Sequence, residues 1–142
     1  MNYKKIITLV IAALGFTTAC SKIVMEYGVP AASFELKGKV TDTLDNPIEN
    51  IRVNIRTNDY PMKEIFTDME GNYFFGVGDI SFSDITVKVE DIDGEENGGE
   101  FATQTISFPI KSSDYVKEEE RKDDNWYSGT ARKEINFKLE KK

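Results

Sequence analysis

The chain of 142 residues has no histidine, one cysteine and four prolines. The lack of histidine removes the Ser–His and Cys–His pairs of nucleophilic catalysis and any imidazole-bound zinc. The one cysteine, Cys20, can make no intramolecular disulfide. There is no Ser-x-x-Lys pair and no glycine-rich phosphate loop leading into a helix. Cations are outnumbered, 18 against 25 acids, for a net charge of −7, and no basic stripe is present. Such a chain repels phosphate backbones, so nucleic acid is not an expected partner. Paired carboxylates are the catalytic device that remains. With 25 acids, some must lie close together, so proximity alone carries no information. The expectation is a protein that is not an enzyme. Long apolar runs are missing too. Ile6 to Phe16 has 11 residues with only Thr8 polar. As a helix it would be roughly 16 Å long, too short for a hydrocarbon core of about 30 Å.

That short run has a context. It follows Lys4 and Lys5 and leads through small residues to Cys20, in the order MNYKKIITLVIAALGFTTACSK. A basic start, an apolar centre and a small-residue end make a secretory leader. Thr17-Thr18-Ala19-Cys20 resembles a bacterial lipoprotein box, with threonine at 17 where leucine is usual. The resemblance implies cleavage before Cys20, lipid on its thiol, and a chain anchored to a membrane. It also accounts for a lone cysteine in an exported protein. The alternatives are an ordinary leader cut nearby or a short buried helix. In such lipoproteins an aspartate after the cysteine favours the inner membrane, so Ser21 implies the outer one. Lys22-Ile23-Val24 precede the first acid, Glu26, which implies the periplasmic face, with the cell surface as the alternative. The expected organisation is a leader at 1–19, a lipidated cysteine and tether at 20–33, and one domain at 34–142. Removing the leader leaves 123 residues with 16 bases and 25 acids, a net charge of −9.

From residue 34 apolar residues recur with period two, the signature of half-buried strands. Phe34, Leu36 and Val40 share one face of FELKGKVT. Ile51, Val53 and Ile55 share one face of IRVNIRT, with Arg52, Asn54 and Arg56 on the other. Ile85, Val87 and Val89 repeat the pattern, as do Ile106, Phe108 and Ile110, and Ile135, Phe137 and Leu139. KEIFT and NYFFGV read as further strands, the second apolar on both faces at Tyr73-Phe74-Phe75. Asp-Asn-Pro, Glu-Gly and Asn-Asp-Tyr-Pro mark the turns between them. About seven short strands with turns at this spacing predict an antiparallel β-sandwich of Ig-like type. Residues 111–134 break the pattern; Lys117 to Asp124 reads as a solvated loop.

The stretch GKVTDTLDNPIENIRVNI…FTDMEGNYFF…ITVKVED, about residues 36–90, resembles the carboxypeptidase regulatory-like, or transthyretin-like, β-sandwich family. Gly38, Val40, Asp42, Pro47, Val53, Thr67, Asp68 and Gly71 fall on that family's pattern, as does Tyr73 or Phe74. Asn46 and Ile51 depart from it, where glycine and alanine are common. More narrowly, MEYGVPAASFELKGKVTD, DIDGEENGGEFA and NWYSG are similar to the radical SAM-associated lipoproteins of Bacteroidota. This likeness implies a neighbouring enzyme system rather than an activity of this chain. One cysteine cannot supply a CxxxCxxC cluster motif.

VEDIDGEENGGEF, residues 89–101, poses the sharpest chemical question. Counted from Asp93, it places Asp93, Glu95, Asn97 and Gly98 at positions 1, 3, 5 and 6 of a calcium loop. Position 12 is Gln104 rather than a bidentate glutamate, and the flanks read as strands. Asp91, Asp93, Glu95 and Asn97 are the candidate calcium ligands. Asp91, Asp93 and Glu100 with backbone carbonyls form an alternative set. The other reading is an acidic hairpin loop, with Gly94, Gly98 and Gly99 at positive backbone angles and the aspartates accepting from loop amides. Trp126 and Tyr127 could stack on a sugar or anchor a loop. Arg52 and Arg56 could grip carboxylates or only solubilise a face.

The expected function is therefore a non-catalytic binding or assembly role in the cell envelope, with a protein or peptide as partner and accessory to a radical SAM enzyme system. The rivals are a calcium-stabilised carbohydrate- or peptide-binding module and a carboxylate hydrolase.

Overall fold

The computed structural model describes residues 31–57, 61–78 and 84–142, with only the backbone of Met62. The expected leader, Cys20 and the tether up to residue 30 lie outside the described residues. Nine strands lie among the described residues: β1 (Ala31–Asp42), β2 (Ile51–Arg56), β3 (Pro61–Phe66), β4 (Asn72–Val77), β5 (Asp84–Asp91), β6 (Gln104–Pro109), β7 (Tyr115–Val116), β8 (Tyr127–Glu134) and β9 (Phe137–Leu139). Two single 3-10 turns, at Ser112–Asp114 and Glu119–Arg121, are the only helical elements among the described residues.

The strands make two sheets. One runs β4-β1-β8-β7, with β9 continuing along β1, and the other β3-β2-β5-β6. Alternation explains their packing. Phe34, Leu36 and Val40 of β1 face Val53, Ile55, Val87 and Val89 of the other sheet, and all are fully buried. Full burial of such side chains contributes about 1.5–3 kcal/mol each. This ordering without disulfides is what the period-two rows predict.

Two features differ from the sequence-based expectation. The strands number nine rather than about seven, and the first sheet is mixed: β1 pairs antiparallel with β4 but parallel with β8 and β9. Nor is all of residues 111–134 an interruption, because β8 lies in the middle of its sheet between β1 and β7. Its inner face carries Gly129 and Ala131, too small to register as an apolar row, yet both are buried. Lys117 to Asp124, read as a solvated loop, is a mostly exposed, charged connection.

β8 hands over to β9 at Ile135, whose N–H donates to the Lys37 carbonyl at 2.9 Å. The crossing needs Gly38. A Cβ there would lie 1.7 Å from the Ile135 carbonyl oxygen. Tyr73 secures the same spot, its hydroxyl donating to that oxygen at 2.6 Å.

Candidate functional site

The acidic stretch is a turn with internal partners. Asp91 ends β5, and its two carboxylate oxygens accept from the N–H groups of Asp93 at 3.1 Å and Phe101 at 2.9 Å. Asp93 accepts on one oxygen from the side-chain amides of Asn50 (3.0 Å) and Asn97 (2.6 Å). Partial burial works against the charge of Asp93, but these donors outweigh it and hold its carboxyl below the usual range. Asn97 thus turns its nitrogen, not its oxygen, toward Asp93. Glu95 is exposed. Glu100 pairs with Lys142 at 2.6 Å instead of turning to the aspartates. The structure brings Asp91, Asp93 and Asn97 together but not Glu95. Among the described residues no group of three or more Asp, Glu, Cys or His is placed to hold a metal ion. Gly94, Gly98 and Gly99 all have positive φ, as a hairpin loop requires.

The same device builds the neighbouring turns. Asp42 accepts from the N–H groups of Leu44 and Asn46, and Asp68 from those of Glu70 and Asn72. The Asn46 side chain also donates to Asp42 and holds its carboxyl below the ordinary range.

Trp126 and Tyr127 part company at the start of β8. Tyr127 is buried, its hydroxyl bonded to Thr130 and Ser33 and its ring lying 3.8 Å beneath the Arg121 guanidinium carbon. Trp126 is 45% exposed, and its carbonyl accepts from the first residue of β1, Ala31. Arg52 is engaged on the outer face of β2 with Glu90 at 2.7 Å and Glu64 at 3.8 Å. The hydrogen bond to Arg52 and then that to Lys88 keep Glu90 below the usual carboxylate range. Arg56 is exposed.

A concave feature of the described residues lies elsewhere, on the outer face of the first sheet. A trough of about 780 Å³ runs over β1, bounded by Asn72 and Phe74 of β4 on one side and by Asn136 and Lys138 on the other. Lys37 and Lys39 rise from its floor. A second trough of about 460 Å³ adjoins it toward Glu35 and Arg132, and Lys37, Phe74 and Glu134 line both. Phe74 is 62% exposed in the middle. Its ring lies along its own strand over Gly76, where a Cβ would meet two ring carbons at 3.3 Å. Lys37 pairs with Glu134 at 3.5 Å and Lys138 with Asp45 at 2.6 Å. Asn136 accepts the Lys39 N–H on its side-chain oxygen, which leaves its amide nitrogen as donor. Sequence reasoning did not find this place. Its signal was the second apolar face of NYFFGV, where Phe74 stands out of phase with Tyr73 and Phe75.

No protein-family model matches the chain, and no curated protein matches it in sequence. Solved structures do resemble it in shape. Klebsiella pneumoniae 5-hydroxyisourate hydrolase superposes with a TM-score of 0.52 at 16% identity, over 75% of this chain and 89% of that one. Chlorocatechol 1,2-dioxygenase from Pseudomonas putida gives 0.53 at 11% identity, over 78% of this chain and 61% of that one. Catechol 1,2-dioxygenase from Pseudomonas arvilla gives 0.51 at 14%, over 81% and 54%. The chain therefore spans little more than half the length of those dioxygenases. At such identities the likeness is one of fold, and the fold is an all-β, two-sheet sandwich of the transthyretin-like type.

Proposed function

We propose that this protein is a lipid-anchored component of a bacterial cell envelope with a non-catalytic binding or assembly role. One observation carries the reading: a basic start, an 11-residue apolar run and small residues lead to the chain's only cysteine, Cys20. The spacing to the domain supports it. The first described strand, β1, begins at Ala31, eleven positions after Cys20, so any tether from a lipidated Cys20 to it is short. Residues 31–33, placed by the sequence reading at the end of the tether, belong to β1. A short tether holds a folded domain close to the membrane, which suits a protein that acts on envelope partners. Ser21 supports the outer membrane, periplasmic face. The likeness to radical SAM-associated lipoproteins supports a partner in such an enzyme system, either its modified peptide or an envelope complex.

Mass spectrometry of the protein extracted from membranes tests the anchor. The expected N-terminal peptide begins at Cys20 and carries acyl chains, and Cys20→Ser leaves the leader uncleaved and the lipid absent. An unmodified Cys20 within an intact chain would overturn the reading. For the partner, the test is whether a radical SAM enzyme is encoded beside this chain and whether its product co-purifies with it.

A further inference from the structure

We propose that Asn97 is a site of spontaneous deamidation, at which the backbone nitrogen of Gly98 displaces the side-chain amide and water completes the exchange. The reaction needs an N–H on the next residue that is free of partners, open to water and unhindered by a side chain. Most asparagines of the fold lack one. Asn46 precedes Pro47, which has no N–H. Asn50 precedes Ile51, whose N–H is buried and donates to the Thr67 hydroxyl at 2.9 Å. Asn125 precedes Trp126, whose N–H donates to Asp124 at 3.0 Å. Asn54, Asn72 and Asn136 each precede a large side chain within a strand. Asn97 differs on every count. Gly98 has no side chain, both residues are exposed, and the Gly98 N–H donates to no group among the described residues.

Water is the one co-reactant. The Gly98 N–H gives its proton to solvent, and the nitrogen attacks Cγ of Asn97. An N–Cγ bond forms, the Cγ–Nδ2 bond breaks, and ammonia leaves with a proton from solvent. A five-membered imide remains. Water then opens it at Cγ, which gives aspartate, or at the main-chain carbonyl, which gives isoaspartate and one more carbon in the backbone. Nothing is oxidised or reduced. Asn97 Nδ2 donates to Asp93 at 2.6 Å, and a carboxylate there favours the positive charge this nitrogen gathers as it departs. The turn itself is closed by one long backbone bond, from the Gly99 N–H to the Glu96 carbonyl at 3.3 Å, so ring closure has little to break. The product reverses the chemistry of the loop. Asn97 donates to Asp93, whereas a carboxylate at 97 repels it, and Asp93 keeps only Asn50 as a side-chain donor. Deamidation therefore loosens the acidic loop.

The proposal stands whether or not Cys20 carries lipid. The test ages the full chain in detergent at physiological temperature and follows the tryptic peptide between Lys88 and Lys111 by mass spectrometry. Asn97 is expected to convert about tenfold faster than Asn50 or Asn125, to yield isoaspartate as well as aspartate, and to convert faster as pH rises, because the Gly98 N–H must lose its proton. Folding should give it little protection. Its rate in the fold is expected within about threefold of its rate in urea, whereas folding should slow Asn50 and Asn125 strongly. Gly98→Ala is expected to slow conversion about tenfold. Alanine is strained at the φ of 102° found there, so Asn97→Gln serves as the second variant: it keeps a donor for Asp93, and closing a larger ring should all but stop the reaction. Asn97→Asp copies one product and is expected to melt a few degrees below the parent at neutral pH. An Asn97 that stays intact in the fold while it converts in urea, or that yields aspartate without isoaspartate, would overturn the site. Asn97→Asp melting with the parent would overturn the loosening of the loop.

Discussion

Gly38 and Tyr73 show how much one position can decide. Both meet at the carbonyl of Ile135, where β8 passes into β9. Gly38→Ala would drive a methyl group into a backbone oxygen that two neighbouring strands hold in place. Ordinary overpacking costs about 1–3 kcal/mol, and here no flexible side chain can yield, so about 3 kcal/mol or more is expected. Urea unfolding should show the loss as a lower midpoint, or as a chain that does not fold. Tyr73→Phe keeps the ring but leaves the Ile135 oxygen without its donor, at a cost of about 1–3 kcal/mol. Tyr73 also carries a pH signature. Burial pushes its phenol well above the usual tyrosine range. The neutral phenol is therefore favoured in the fold. Its contribution is complete below the unfolded value near pH 10 and is lost as pH rises beyond it. The parent should lose stability above about pH 10 more steeply than Tyr73→Phe does, as read by unfolding midpoints across that range.

At the scale of elements, the strands with large alternating side chains were legible and those without them were not. β2 and β5 carry Ile and Val in strict alternation, and the structure buries each one. Ile106 has the right phase, opposite Val87, but sits on edge strand β6 and stays 40% exposed. Phase sets the face a residue takes, whereas burial depends on what lies across from it. β8 was missed because its inner row is Gly129 and Ala131, and because parallel pairing with β1 leaves no local hairpin signal. The trough was missed for a related reason. Phe74 was visible in the sequence, but its neighbours Asn136 and Lys138 are more than 60 residues away, and only the sheet brings them together. The acidic loop was legible as a stretch and ambiguous as chemistry, since calcium loops and tight hairpins use the same Asp, Asn and Gly. The hydrogen bonds support the hairpin reading, and the response to calcium decides between the two. Asp91 already has a backbone donor on each oxygen, so Asp91→Ala should cost about 1–2 kcal/mol in a melt without any added ion. A ligand at 100 times its dissociation constant would add about 2.7 kcal/mol. Millimolar calcium is expected to leave the melting temperature within error of a chelator control, and a rise abolished by Asp93→Ala would return the loop to the metal reading.

At the scale of the whole molecule, acid-bearing turns gather at one end of β1. Ala31 marks one end of this strand and Asp42 the other, roughly 36 Å away for a strand of this length. The turns at 42–46 and 67–71 and the acidic loop gather at the Asp42 end, while the acids of 118–124 lie toward Ala31, whose N–H donates to the Trp126 carbonyl. Lowering the pH then sets two effects against each other. Protonating a chain of net charge −7 relieves self-repulsion and would stabilise it. It also removes the charge from carboxylates that accept bonds in the fold. Asn46 lowers the carboxyl of Asp42, Arg52 that of Glu90, Lys133 that of Asp114 and Arg121 that of Asp124. A group depressed in the fold contributes stability that is present above its unfolded value, near pH 4, and lost as pH falls through the folded one. Repulsion between exposed charges is screened beyond about 8 Å at physiological salt, whereas these bonds span about 3 Å and are screened less. The local effect should win. The melting temperature at physiological ionic strength is expected to be level from about pH 8 to 5 and to fall steeply between about pH 4 and 2. A melting temperature that rises on acidification through pH 4 would mean that repulsion along the acidic end outweighs every one of these bonds.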